Sequence, residues 1–150
     1  LVRSYLAGFG PASRKDVASY TGVQVTQLAP AFDRVELRRF RDEHGRELID
    51  LPNAPLPDPD TPAPVRFLPT WDSVLLVHAR RTGVLPEPYR EIVFNVRVPP
   101  SMPTFLVDGV VRGAWKYDKG RIALEPFEPL SRETRRELED EAERLAAFHA

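Results

Sequence analysis

Over residues 1–35, apolar positions recur three times at helical spacing. Val2, Tyr5, Leu6 and Phe9 fall on one side of a first helix, and Gly10-Pro11 stops it. Ser13 has Asp16 three residues on, the spacing at which each side chain can satisfy the other's backbone N–H. That capping pattern predicts a short second helix ending near Gly22. Leu28, Ala31, Phe32 and Val35 stand at i, i+3, i+4 and i+7 and predict a third helix buried on one side. Pro30 has no N–H to donate, so it is expected in that helix's first turn, with the start near Thr26 or Gln27.

The period then drops to two. Residues 36–51 contain two strand-like runs around Asp42-Glu43-His44-Gly45, a hairpin turn with a glycine available for positive φ. Three short helices followed by a hairpin is the winged-helix order, with residues 21–24 turning between the second and third helices.

Residues 52–64, PNAPLPDPDTPAP, carry six prolines. Proline fixes φ and lacks a donor, so this stretch is predicted as an extended linker, neither helix nor central strand. Beyond it come an apolar run at 74–77 and a short proline-started helix around 87–94. An antiparallel meander follows over 104–127, turning at Asp108-Gly109 and Asp118-Lys119-Gly120. The run 110–117 lacks strict alternation, which predicts a strand covered on both faces or bulged at Gly113. Trp71 and Trp115 are costly to expose and are expected in the core, with base stacking as the alternative reading. Ser131 is expected to cap a last helix that lays Leu138, Ala142, Leu145 and Ala146 on the meander. The predicted class is α+β. It comprises a winged helix-turn-helix unit at 1–51, a proline-rich linker at 52–64, and a small antiparallel β-barrel-like domain with a C-terminal helix at 65–150.

Composition narrows the function. A hydrophobic share of 42% and a charged share of 29% are those of a globular chain. No apolar run approaches the roughly 20 residues of a membrane span, and no signal-peptide pattern is present. Cysteine is absent, which excludes disulfides and thiolate metal sites and fits a reducing, cytoplasmic setting. His44, His78 and His149 lie far apart without ligand spacing, so no metal and no cofactor is expected. Phosphate-binding glycine loops and a Gly-x-Ser-x-Gly elbow are absent. Leu1 is not Met and already lies in a helical pattern, so the chain is expected to be part of a longer protein. Basic and acidic residues number 21 and 22, for a formal charge of −1. That balance argues mildly against strong, independent DNA binding, because phosphate contacts supply much of such affinity.

Three clusters are candidates. Arg38, Arg39, Arg41 and Arg46 crowd the hairpin, and guanidinium forks match phosphate oxygens. Glu36, Asp42, Glu43, Glu47 and Asp50 are interleaved with them, so cross-strand ion pairing explains the same residues. His78, Arg80 and Arg81 form a second basic group. They would hold a phosphate if they face a cleft, and would be ordinary solvated side chains on a surface turn. The third helix would expose Gln24, Gln27, Asp33 and Arg34. Glutamine can read adenine and arginine guanine, but Asp33 opposes phosphate, and a scaffold helix with a solvated face is the plainer reading.

Several segments also carry a family resemblance. FLPTWDSVLLVHARRTGVL (67–85), TFLVDGVVRGAW (104–115), ALEPFEPL (123–130) and EAERLAAF (141–148) resemble the C-terminal part of the winged-helix DNA-binding family that includes AlkZ-like and YcaQ-like DNA glycosylases. DVASYTGV (16–23) and LRRFRDEHGRELIDLP (37–52) are similar to the family's last winged helix. The resemblance implies tandem winged helices packed against a small β-barrel, double-stranded DNA as partner, and excision of alkylated or crosslinked bases. It implies a catalytic Gln-x-Gln or Gln-x-Asp motif in an N-terminal winged-helix domain. Gln24 and Gln27 are spaced Gln-x-x-Gln, so no catalytic residue is assigned. The expected function is the DNA-binding portion of a glycosylase-related protein. A non-catalytic transcriptional or architectural module, or a protein-interaction domain, is the alternative.

Overall fold

A computed structural model describes residues 1–79, 82–94 and 101–149. The chain divides into two compact units, Leu1–Pro59 with Leu76–Arg80, and Asp60–Leu75 with Arg81–Ala150. The described residues are mixed α+β, with six helices and two antiparallel sheets.

In the first unit, helix α1 (Val2–Phe9) ends where the Gly10 N–H donates to the Leu6 carbonyl at 2.9 Å. Helix α2 (Arg14–Thr21) opens on the predicted cap. The Asp16 N–H donates to Ser13 Oγ at 3.2 Å, and the Ser13 N–H donates to Asp16 Oδ2 at 2.8 Å. It closes at Gly22, whose φ of 68° lies in the left-handed region where a Cβ is penalised.

Helix α3 (Val25–Asp33) starts earlier than the proline rule placed it, and Pro30 lies beyond its first turn. The reason is a cap that the proline argument ignored: the Gln24 N–H donates to Gln27 Oε1 at 3.2 Å. Beginning at Val25 satisfies that donor and leaves a single unmade helix bond at Pro30.

Strands β1 (Arg38–Arg41) and β2 (Glu47–Asp50) pair antiparallel, with Arg38 opposite Asp50 and Arg41 opposite Glu47. Ala12 and Ile49 exchange both backbone hydrogen bonds, at 3.0 and 2.8 Å, which ties the hairpin to the α1–α2 turn. Tyr5, Leu6, Val17, Leu28, Phe32 and Ile49 form the core beneath.

The second unit is built on a four-stranded sheet ordered β3 (Arg66–Leu68), β4 (Thr104–Val107), β5 (Val110–Asp118), β6 (Arg121–Pro126). Both meander turns hold two successive residues at positive φ, Asp108-Gly109 and Lys119-Gly120. Those dihedrals match the strands' twist and make two-residue hairpins. Strand β3 was not legible in the sequence.

The expected barrel-like closure is not observed among the described residues. Strands β3 and β6 each pair on one side only, so the sheet stays open. Its two faces are covered by helices instead of by further strands. Phe105 points to a cluster with Val65 and Leu138 of helix α6 (Arg132–His149), while its neighbour Leu106 joins Leu85, Tyr89 and Val93 around helix α5 (Glu87–Val93). Alternate residues of β4 thus serve opposite cores.

Strand β5 is both covered twice and bulged. Phe105 pairs with Gly113 and Leu106 with Val111, which leaves Arg112 as the extra residue beside the glycine. A Cβ on Gly113 would lie 2.3 Å from Phe105 Cζ and 2.7 Å from the Glu125 carbonyl oxygen. Ser131 caps α6 as predicted, its Oγ accepting the Thr134 N–H at 3.0 Å. Leu138 and Ala142 are buried in the resulting packing.

The two tryptophans part company. Trp115 is half-buried and donates through Nε1 to the Leu68 carbonyl at 3.0 Å. Trp71 is 55% exposed, against the expectation of a core residue. It occupies a turn between β3 and the short helix α4 (Ser73–Leu76).

Candidate nucleic-acid interface

The hairpin arginines have unequal partners. Arg39 Nη1 lies 2.8 Å from Glu47 Oε2, and Arg46 Nε lies 2.6 Å from Asp42 Oδ2. Arg41 Nη1 donates to the Gly45 carbonyl at 3.2 Å, and Arg38 stands over the Phe40 ring at 4.9 Å. Among the described residues, Arg38 and Arg41 therefore have no carboxylate partner. The sequence left phosphate contact and ion pairing as rival readings of all four. The structure pairs Arg39 and Arg46, whereas Arg38 and Arg41 form no ion pair among the described residues.

Asp42 organises the turn. Its Oδ1 accepts the His44 and Arg46 N–H groups at 2.9 and 2.8 Å, and its Oδ2 takes the Arg46 guanidinium. Burial pushes the Asp42 carboxyl up. The Arg46 backbone and side-chain bonds and the His44 bond outweigh it and hold the group below its ordinary value.

On α3, Gln24, Gln27, Asp33 and Arg34 are all exposed. Gln27 Oε1 is engaged by the Gln24 N–H, so that carboxamide caps its own helix. Arg34 stands at the helix C-cap with no carboxylate partner among the described residues.

His78 is half-buried, its ring centroid 6.3 Å from that of Tyr5. The segment around it is clasped by the helices of the first unit. Tyr5 OH donates to the Val77 carbonyl at 2.5 Å, and the Ala79 N–H donates to Asp16 Oδ1 at 2.9 Å. Arg80 and Arg81 lie outside the described residues.

Sequence reasoning passed over further basic groups in the first unit. Arg3 and Lys15 are exposed and unpaired with carboxylates among the described residues, and Arg14 stands over Phe32 at 4.9 Å. The signal for them was faint, because single basic residues at helix starts read as ordinary solvated positions. Among the described residues no cluster of His, Asp and Glu could hold a metal ion, and no helix is long and apolar enough to cross a membrane.

Exposed arginines on a hairpin that follows three short helices are the geometry to set beside known proteins. The profile described as AlkZ-like, DNA glycosylase AlkZ-like, matches residues 1–148, so the chain belongs to the AlkZ-like DNA glycosylase family. Among solved structures, it is similar to the Streptomyces sahachiroi DNA glycosylase AlkZ, with a TM-score of 0.77 and 23% identity. That likeness covers 97% of this chain and 41% of the solved one, so the chain spans less than half of that relative's length. No curated protein matches it.

Proposed function

We propose that this chain is the DNA-binding part of a glycosylase of this family, with its first unit acting as a winged helix. In this reading β1 and β2 form the wing, and α3 is the scaffold helix behind it. The second unit is the counterpart of the barrel-like domain. Base excision is supplied by a segment other than the one described. Family membership supports DNA as the substrate.

The observation that carries the reading is the state of the hairpin: Arg38 stands over a ring and Arg41 donates to a carbonyl, and neither has a carboxylate partner among the described residues. A guanidinium fixed by a carbonyl or a ring keeps its charge for a phosphate, whereas one in an ion pair must first give up its partner. Gln27 caps its own helix, and with Gln24 it has Gln-x-x-Gln spacing, so no catalytic role is assigned to it. His78, Arg80 and Arg81 belong to the same reading as a second phosphate-holding group.

Duplex affinity measured against salt concentration tests this. Binding is expected to fall steeply as salt rises, because condensed counterions are released on binding. Replacing Arg38 and Arg41 together by alanine should weaken binding to all duplex sequences and flatten the salt slope by about 2, about one per phosphate contact. Arg80→Ala with Arg81→Ala is expected to do the same for the second group. A chain that binds no duplex even at low salt would be an interaction domain instead.

A further inference from the structure

The second unit displays a large aromatic ring where folding alone would not place one. Trp71 is 55% exposed, and its backbone sits at φ 60°, a left-handed conformation that bulky residues rarely adopt. Hydrogen bonds clamp the backbone on both sides of it. The Trp71 N–H donates to Ser101 Oγ at 2.8 Å, and Ser101 is itself only 4% exposed. On the other side, Asp72 Oδ1 accepts the Val74 N–H at 2.8 Å and the Asp72 carbonyl accepts the Leu75 N–H at 3.1 Å, which starts α4.

Neither of two ordinary explanations accounts for this residue. A tryptophan kept for packing would be covered, as Trp115 largely is, with Phe67 edge-on to it at 5.7 Å. A turn kept only for its shape would carry glycine or asparagine at this φ. The molecule instead tolerates strain to hold an indole out into solvent on a braced backbone.

The geometry points to Trp71 as a stacking platform for an unpaired nucleobase. Every base offers a π-face, the indole is the largest side-chain surface for it, and such stacking is tolerant of sequence. Enzymes that act on a base within DNA must unstack it, which leaves an unpaired base on at least one strand. A pre-fixed ring avoids the ordering cost that a mobile one would pay on binding. The inference rests on the DNA-binding reading above and adds to it a contact that discriminates unpaired from paired DNA.

The test compares three probes at low salt: a fully paired duplex, the same duplex with a tetrahydrofuran abasic analogue opposite adenine, and the single strand. Trp71→Ala and Trp71→Gly are expected to weaken binding to the second and third probes by about 5- to 150-fold, the range of one lost base stack. Binding to the paired duplex should stay unchanged, and Trp71→Phe should retain most of the affinity. Wild-type indole fluorescence should be quenched by the abasic duplex, and Trp71→Phe should abolish that quenching. The thermal midpoint of Trp71→Gly should equal or exceed that of the wild type, since glycine relieves the positive φ. Unaltered affinity for the unpaired probes, or equal loss on all three, would overturn the stacking role while leaving DNA binding intact. Failure of the wild type to bind any probe would remove the DNA-binding reading itself, and the platform with it.

Discussion

Asp42 and Gly113 show how much a single side chain, or its absence, can decide. With its folded pKa below the ordinary 3.8, the Asp42 carboxylate is favoured by the folded hairpin. Its stabilising contribution is complete above that value and is lost as pH falls through the lower, folded one. Acid titration followed by NMR should move the His44 and Arg46 amides together below pH 3.8, and Asp42→Asn should abolish that movement. Titration above 3.8 would show that burial prevails over the hydrogen bonds. Gly113 is set by contact instead of charge, since a methyl group there meets both a fully buried ring and a backbone carbonyl. Gly113→Ala should cost about 1–3 kcal/mol in urea unfolding, the ordinary penalty of overfilling a packed core. The sequence offered a bulge at Gly113 as one of two readings, and the tertiary contact supplies a separate reason for the glycine.

The elements follow local rules, with tertiary additions that local rules do not contain. The capping box of α2 was legible in Ser13 and Asp16. What was not legible is that Asp16 uses its other oxygen, Oδ1, to hold the Ala79 N–H, contributed by a segment 63 residues away. Ser13→Ala should cost about 1 kcal/mol, as a lost helix cap does. Asp16→Ala should cost more, because it also leaves the Ala79 donor without its acceptor. Thermal unfolding should rank wild type, Ser13→Ala and Asp16→Ala in descending order. Equal midpoints for the two variants would show that the clasp on residues 77–79 contributes nothing. The same logic explains the sheet: the turns Asp108-Gly109 and Lys119-Gly120 were readable from their composition, whereas β3 was not. A three-residue strand has too short a pattern to announce itself, and it pairs with a partner 38 residues on.

Taken whole, the chain has almost balanced charge, and its family acts on DNA. In the proposed reading, basic groups that have no carboxylate partner among the described residues, not the net charge, reconcile the two. The base-excising segment is placed elsewhere in the proposed reading, so the chain alone should release no base from alkylated DNA. Chromatographic detection of freed base would check this, and turnover by the chain alone would relocate the chemistry into it. Salt dependence of duplex binding and the probes for Trp71 bear on the same assembly from independent sides.

Helix order, hairpin, the Ser13 and Ser131 caps, the two meander turns and the apolar face of α6 were determined by sequence, because each depends on residues within a few positions of one another. Periodicity and turn chemistry act at that range. The Arg46–Asp42 pair is local to the turn. Tertiary structure, through strand pairing, decided that Arg39 is ion-paired, since Arg39 and Glu47 meet only once β1 and β2 are in register. It decided that four strands remain open, because helices cover the faces that further strands would have closed. It also decided that Trp71 faces solvent: hydrophobicity argued for burial, but the ring stands on a backbone at positive φ, bonded to Ser101 from 30 residues away. A residue's chemistry is local, whereas its partners are set by what the rest of the chain brings to it.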